Sequence, residues 1–387
     1  MPVVTTISGV QYSGIWTMQQ VNSAIAAGTW PVVGPILWSW GLGNNGQLGL
    51  GNITKYSSPK QVGSLVTWSK LAASGYFSAA IKTDGTLWSW GNNAQGELGL
   101  GNTTYYSSPK QVGSLTNWSK ISVGNYYALA IKTDGTLWGW GYNNSGQLGD
   151  GTIVNKSSPI QISALTTWLN IASGSSGYAG SFAIKTDGTL WSWGGNNFGK
   201  LGLGNTAYKS SPNQIGALND WLSVSAGAYH TVATKTDGTL WTWGYNAYGQ
   251  LGLGNTTNYS SPKQVGALTT WSKVSSGVYH VVAITSLGYL WVWGYNGQGQ
   301  LGDGTTTNRS SPVQIGALTD WLKISSGGYN STSIKTDGTL WTWGNNSNGQ
   351  LGIGNATNYS SPKQVGSLTT WQDISAGALA ALALKLT

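Results

Sequence analysis

The pentapeptide Leu-Trp-x-Trp-Gly occurs seven times in this chain, first as Leu37-Trp38-Ser39-Trp40-Gly41. The later copies carry Trp88/Trp90, Trp138/Trp140, Trp191/Trp193, Trp241/Trp243, Trp291/Trp293 and Trp341/Trp343. Five of the six intervals are 50 residues and the third is 53, because the fourth repeat is longer. Self-similarity at a period of this size restricts the fold to a stacked or ring-shaped repeat architecture. One unit runs from Leu87-Trp88-Ser89-Trp90-Gly91 through Gly96-Glu97-Leu98-Gly99-Leu100-Gly101-Asn102 and Ser107-Ser108-Pro109-Lys110-Gln111-Val112. It continues through Trp118-Ser119-Lys120-Ile121 and ends at Ala128-Leu129-Ala130-Ile131-Lys132-Thr133-Asp134-Gly135. Four short strands are expected per unit. Alternation with period two marks Trp118/Lys120 against Ser119/Ile121, and Leu137/Gly139 against Trp138/Trp140. Thr-Asp-Gly joins the last two strands as a hairpin, with glycine taking the positive φ such a turn needs. Units of four strands are propeller blades rather than solenoid coils.

The two ends of the repeat region decide between an open and a closed array. The last unit stops at Leu382-Ala383-Leu384-Lys385-Leu386-Thr387, where Thr-Asp-Gly-Thr should begin. The first unit starts at Ile36-Leu37-Trp38, the strand just after that missing turn. The two terminal strands therefore complete one blade between them, which closes a ring and removes free edges. The expected fold is all-β: residues 34–387 form a seven-bladed β-propeller of four-stranded blades, closed by N- and C-terminal strands sharing one blade. In that ring the Gly-rich loops pack against the next blade, with Leu48, Leu98, Leu148, Leu201, Leu251, Leu301 and Leu351 as plugs. Both tryptophans of each pentapeptide are expected in one packing layer.

Residues 1–33 fall outside the repeat. Here Trp16 to Gly28 reads as a short helix with Thr17 as N-cap and Gln20 completing a capping box. Met18, Val21 and Ile25 give it one apolar stripe. An isolated helix this short must dock, either over one end of the propeller or on a larger assembly. With Gln19-Gln20 and Ala27-Gly28-Thr29-Trp30-Pro31, the segment is similar to short assembly peptides in bacteriophage tail and fibre proteins. That resemblance implies an assembly role for Trp16, Met18, Val21, Ile25 and Trp30.

Charge and composition exclude more than they assign. Charged residues are 8% of the chain, so the solvated surface must rely on Asn, Ser, Thr, Gln and Gly. The net charge of +8 invites a nucleic-acid reading until the lysines are located. Lys60, Lys110, Lys263 and Lys363 follow Ser-Ser-Pro, while Lys82, Lys132, Lys185, Lys235 and Lys335 precede Thr-Asp-Gly. Lysine spread evenly at strand ends reads as solvated or edge-protecting, and no nucleic-acid partner is expected. The absence of cysteine excludes disulfides and thiolate metal sites. No apolar run approaches the roughly 20 residues of a membrane helix. No Lys or Arg precedes Lys55, so a secretory leader is not expected.

The segments Gly-Gln-Leu-Gly-Leu-Gly-Asn, Ser-Pro-x-Gln-Val and Ile-Lys-Thr-Asp-Gly-Thr-Leu-Trp-Ser-Trp-Gly resemble the repeat of the regulator of chromosome condensation family. The resemblance covers nearly all of residues 34–387 and implies a closed seven-bladed propeller. For function it implies only a wide range, from a nucleotide-exchange factor and chromatin binders to a β-lactamase inhibitor. The family often carries His near its third strand, where this chain has Phe77, Tyr127, His230, His280, Asn330 and Ala380, with the fourth unit disturbed. No unit is long enough for the inserted wedge of the exchange factor, and its basic tail is absent.

No catalytic set, metal site or cofactor site is legible. His230 and His280 occupy one repeat position that elsewhere holds Phe, Tyr or Ala, which favours packing over metal ligation. Asp84, Asp134, Asp187, Asp237 and Asp337 sit beside turn glycines and read as turn residues. Glu97 has no evident partner. The drifting loop residues are the best binding candidates: Tyr56, Tyr105, Tyr106, Lys156, Tyr208, Lys209, Tyr259, Arg309 and Tyr359. A second ring follows each Trp-Gly and includes Tyr142, Phe198, Tyr245, Tyr248 and Tyr295. Tyr and Asn beside Gly and Ser have a paratope-like composition. The expectation is a non-enzymatic structural or binding protein of a phage virion (tail, fibre or surface decoration), engaging other virion proteins or a host-surface protein or glycan. The alternative is an intracellular protein-interaction regulator or inhibitor acting through a propeller face in the cytoplasm.

Overall fold

The structure is a computed structural model that describes residues 34–64, 67–175 and 179–386, with Gln19 and the paired strands Thr5–Ile7 and Val10–Tyr12. The repeats form seven four-stranded antiparallel sheets. The first to sixth blades begin at Trp68, Trp118, Trp168, Trp221, Trp271 and Trp321, and the seventh is composite. Within a blade the strand opening on that Trp is innermost, and the Ser-Ser-Pro strand is outermost. Each innermost strand packs against its counterparts in the blades before and after it, and Trp371–Ala376 packs against Trp68–Ala73. The circuit is closed.

Closure follows the expected offset. The seventh blade consists of Trp371–Ala376, Ala380–Lys385, Ile36–Gly41 and Tyr56–Gln61, in that order. Ile36 pairs with Lys385 and Gly41 with Ala380 at the two ends of an unbroken antiparallel register. The 53-residue interval is accounted for in the third blade, where extra residues enter the connection before Gly180–Lys185. Gly180 therefore takes the position that His230 and His280 hold in the next two blades.

The repeat letters correspond to one packed group per blade. In the first blade Trp68 meets both Trp88 and Trp90 edge-on, with centroids 6.3 and 6.1 Å apart. Period-two alternation puts all three rings on one sheet face. Of the pentapeptide pair, the second Trp is wholly buried while the first stays half-buried, so the layer is completed by the inner-strand Trp. Trp88 Nε1 donates to Thr86 Oγ1 at 2.9 Å, and Asp84 Oδ1 accepts from both the Thr86 hydroxyl and amide. Those bonds hold the Asp84 carboxyl below its usual range, the side-chain bond contributing most. Gly85 closes this turn at φ +77°, with its N–H donating to Lys82 O at 3.0 Å.

The lysines before Thr-Asp-Gly are not solvated. Lys82, Lys132, Lys185, Lys235 and Lys335 are at most 9% exposed. The Lys82 ammonium lies 3.6 Å from the Trp88 centroid and 5.2 Å from that of Trp68. The second strand ends between the two tryptophan-bearing strands, so the lysine stem has indole on both sides and its charge sits on π faces.

Blades are joined by the second Trp and the Gly-rich loop. Trp90 Nε1 donates to Gln47 O of the preceding blade at 2.9 Å, and Trp40 Nε1 donates to Gln350 O at 2.9 Å to close the ring. Gly352, at φ +72°, must be glycine because a Cβ there would stand 2.7 Å from Trp40 Nε1. The plug leucines, from Leu48 to Leu351, are at most 1% exposed. Around the axis, where inner strands have no sheet partner, hydroxyls bridge the blades. Ser122, Ser225, Ser275, Ser325 and Ser375 Oγ each accept the edge N–H of the next inner strand, at 2.8–3.0 Å. Edge groups are thereby satisfied without a further strand.

Candidate binding face

The connection between the first and second strands and that between the third and fourth open on the same face of the ring. Both families of loops carry aromatics near the axis. Tyr229, Tyr279 and Tyr329 come from the first connection, and Phe198, Tyr245, Tyr248 and Tyr295 from the second. Their rings touch in a continuous belt. Phe198 meets Tyr245 at 4.6 Å, Tyr245 meets Tyr248 at 6.2 Å, Tyr248 meets Tyr279 at 5.2 Å, and Tyr295 meets Tyr329 at 6.0 Å. Tyr229 and Tyr279 stack at 5.6 Å with planes 15° apart. Across the ring, Tyr76 stacks on Tyr126 at 4.9 Å, and Tyr126 meets Tyr142 at 6.4 Å.

The belt encloses a cleft of about 340 Å³ lined by Tyr248, Tyr279, Tyr295, Gln298, Tyr329 and Asn345. Its polar edge is set by side-chain bonds. Gln298 Oε1 accepts from Asn345 Nδ2 at 3.2 Å and from Asn358 Nδ2 at 2.8 Å, which leaves the Gln298 amide nitrogen turned away from them. Burial, and then the neighbouring phenols of Tyr229, Tyr329, Tyr248 and Tyr245, push the Tyr279 hydroxyl above its usual range. The cleft presents four phenols and two amides, with no charged side chain among its lining. Phe198 holds φ +63°, the one non-glycine at positive φ among the described residues, and its ring is 43% exposed. A bulky residue kept in that conformation is strained backbone at the surface.

The loop residues picked out by their drift lie farther out, one or two per blade, on or beside the outermost strand. Tyr105 and Tyr208 are exposed, while Tyr56, Tyr106, Tyr259 and Tyr359 are half-buried beneath Lys60, Lys110, Lys263 and Lys363, whose ammonium groups sit 5.3–5.5 Å from the ring centroids. Lys156 pairs with Asp150 at 3.5 Å, and Arg309 with Asp303 at 2.7 Å. Lys209 is half-buried at the start of its outer strand. The fold spaces these nine around the rim and does not bring them together. The second ring, from Trp-Gly, does converge. Trp16, Met18, Val21, Ile25, Trp30 and the expected helix lie outside the described residues, apart from Gln19. The strand pair at Thr5–Ile7 and Val10–Tyr12 was not foreseen.

Beneath the face runs a buried polar layer. Gln47, Glu97, Gln147, Lys200, Gln250, Gln300 and Gln350 occupy one repeat position and are at most 2% exposed. The Gln side chains at 47 and 250 each accept a backbone N–H two residues back, at 2.9 Å, and Glu97 does the same at 2.7 Å. Burial raises the Glu97 carboxyl to about 7 and lowers the Lys200 ammonium to about 7. Lys200 donates to Ala228 O at 3.0 Å. His230 and His280 are fully buried and neutral, each lowered to about 3, burial being the main cause and proximity to His280 adding to the effect at His230. His280 Nε2 lies 3.0 Å from Ser331 Oγ. Among the described residues no three His, Asp or Glu side chains gather as a metal site.

The repeats thus form a closed seven-bladed ring with a tyrosine-lined loop face. The RCC1-like domain matches residues 37–328, and the regulator of chromosome condensation (RCC1) repeat matches residues 337–384 and 321–350. The chain belongs to the RCC1-like family. Among curated proteins none matches it. Solved structures share its fold at low identity. Prp20p from Saccharomyces cerevisiae is 18% identical, with 92% of each chain covered and a TM-score of 0.82. Yeast RCC1 (Prp20) bound to Kap60 is 17% identical, covering 92% of this chain and 90% of that one, at 0.82. Human WBSCR16 is 21% identical, covering 91% and 99%, at 0.81. No described helix is long and apolar enough to cross a membrane.

Proposed function

We propose that this chain is a non-enzymatic interaction protein that captures a protein partner on the loop face, centred on the aromatic belt between Phe198 and Tyr329. The observation that carries this reading is a belt of seven touching aromatic rings, four of which line one open cleft. Large, nearly rigid tyrosines supply contact area at low entropic cost, and Gln298 and Asn345 supply directional bonds. Anchors near the centre of such a patch carry most of the affinity in protein interfaces, and a polar rim excludes water around them. The yeast protein is bound to Kap60 in one structure, and the other is described with its binding to Gsp1p and histones. They support a regulator-like role here by fold alone. The virion setting rests on residues 1–33 and gains no support from the comparisons.

Site-specific photo-crosslinking tests the reading. A benzoylphenylalanine placed at Tyr329 should trap a partner in the cells that make this protein, and the same group at Tyr56 should not. Tyr279→Ala with Tyr295→Ala should abolish the adduct while leaving the melting temperature nearly unchanged. Trapping from position 56 alone, or from neither position, overturns the assignment.

A further inference from the structure

The face opposite the belt holds a second feature, at the mouth of the axial channel. Each inner strand opens with Trp, and its third residue belongs to a ring that runs Lys70, Lys120, Asn170, Ser223, Lys273, Lys323 and Asp373. The ring order is that of the blades, so Lys70 adjoins Lys120 and Lys273 adjoins Lys323. These side chains reach along the free inner edge. Lys120 donates to Leu169 O and, at 2.6 Å, to Asn170 Oδ1, Lys273 donates to Leu322 O, and Asn170 Nδ2 donates to Leu222 O at 3.4 Å. The Lys120 and Lys273 heads therefore lie against the inner strand of the next blade and not out on the blades. Lys70 and Lys273 are exposed, and Lys120 and Lys323 are half-buried.

Against four ammonium groups the ring sets one carboxylate, Asp373, which is bound to Lys323 at 3.0 Å. Four positive charges less one negative leave +3 on a single ring. The next nearest acids along the chain, Asp220 and Asp320, are paired with Lys235 and Lys335 at 3.3 and 3.2 Å. Within each pair like charges adjoin, and Asp373 is the one carboxylate in the ring. Lys120 is lowered by burial and then by Lys70, and Lys273 by burial and then by Lys323.

We propose that this channel mouth is a binding site for a polyvalent oxyanion of the phosphate class. Two lysine pairs sit on different arcs of one ring of inner strands, and a ligand with several anionic oxygens that spans the mouth can bridge both pairs. Charge-assisted bonds of this kind are the strong ones, and a recess lined by one sign of charge concentrates the opposite ion. Asn170 and Ser223 fill the gap between the pairs as neutral polar groups. The same chemistry is offered by a free polyphosphate or by a phosphorylated segment of another protein.

Titration calorimetry on the full chain at low ionic strength, with sodium tripolyphosphate as probe and a bis-phosphoserine peptide in a parallel arm, tests the site. One-to-one binding is expected, weakened at least tenfold by K70Q/K120Q and likewise by K273Q/K323Q, and strengthened by D373N. K60Q/K110Q removes as much charge from the outer strands and should change affinity less than twofold. Tighter binding of the peptide points to a protein-borne phosphate, and tighter binding of tripolyphosphate to a free one; either supports the site. Absence of binding at millimolar probe overturns the proposal, as does equal weakening in K60Q/K110Q. A lower melting temperature with unchanged affinity in the ring variants would mean that the lysines only cap carbonyls, and it overturns the proposal too. These outcomes do not depend on the tyrosine face.

Discussion

Removing residues 378–387 deletes the strand Ala380–Lys385, which alone bridges the two chain ends in the seventh blade. Ile36–Gly41 then loses its inner neighbour, and Trp371–Ala376 loses its only sheet partner. Ala380, Ala381, Leu382, Ala383 and Leu384 are at most 3% exposed, so their apolar contribution goes entirely. At about 1.5–3 kcal/mol per Leu and 0.8 kcal/mol per methyl, the loss is roughly 5–8 kcal/mol before any ladder bond is counted. Against a typical domain stability of about 5–15 kcal/mol, that is enough to open the ring. Near-ultraviolet circular dichroism is the assay, because 21 of the 23 tryptophans lie in the repeats. The truncated chain should lose that signal at 25 °C, and a synthetic peptide of residues 378–387 should restore it in a concentration-dependent way. A truncated chain melting within about 2 °C of the full one would refute the closure argument, since in a chain of this length that shift corresponds to only about 1.5 kcal/mol.

The other expectations concern single side chains. Glu97→Gln should stabilise the fold at pH 8, by about 3 kcal/mol at most, and change little at pH 4. With the folded carboxyl raised to about 7, its stabilising protonated form is fully present below the unfolded value of 4.5 and is lost as pH rises through 7. His230 and His280 run the other way, since their folded values near 3 favour the neutral ring and stability falls as pH drops below 6.5. The difference between wild type and variant, measured by thermal melts from pH 4 to 8, isolates Glu97. Ser163→Ala should cost about 1 kcal/mol in urea unfolding, because Ser163 Oγ accepts the indole N–H of Trp168 at 3.0 Å. Trp40→Ala should cost about 3–5 kcal/mol and Trp38→Ala distinctly less, read by the same unfolding curves, as only Trp40 is wholly buried and ties the sixth blade to the seventh.

Ring closure was legible in the sequence because a missing Thr-Asp-Gly-Thr at one end and a missing strand at the other are local facts about letters. The hairpin turns were legible for the same reason. The lysine at position 82 and its counterparts were misread as solvated, since nothing in a linear spacing shows two indoles closing over an aliphatic stem. The tyrosines of the aromatic belt were half legible. Tyr245, Tyr248 and Tyr295 follow the Trp-Gly signal, whereas Tyr229, Tyr279 and Tyr329 sit one residue before the histidine position, which drew the attention instead. A signal was available, because the same position is Tyr in five units, at 76, 126, 229, 279 and 329. The lysine ring at the axis was hidden by distance, since Lys70 and Asp373 become neighbours only when the circle closes.

That circle also orders events in time. Six blades are built from strands that follow one another in the chain, so each can pair while its neighbours are still unformed. The seventh requires Ile36 to find Lys385, the most distant strand pairing among the described residues. Such a long loop adds little equilibrium cost, because closure entropy grows only with the logarithm of length, but long-range pairing is slow. Refolding should therefore end in a single late step that latches a nearly complete array, and until then the edges of Ile36–Gly41 and Ala380–Lys385 remain open to a strand from another molecule.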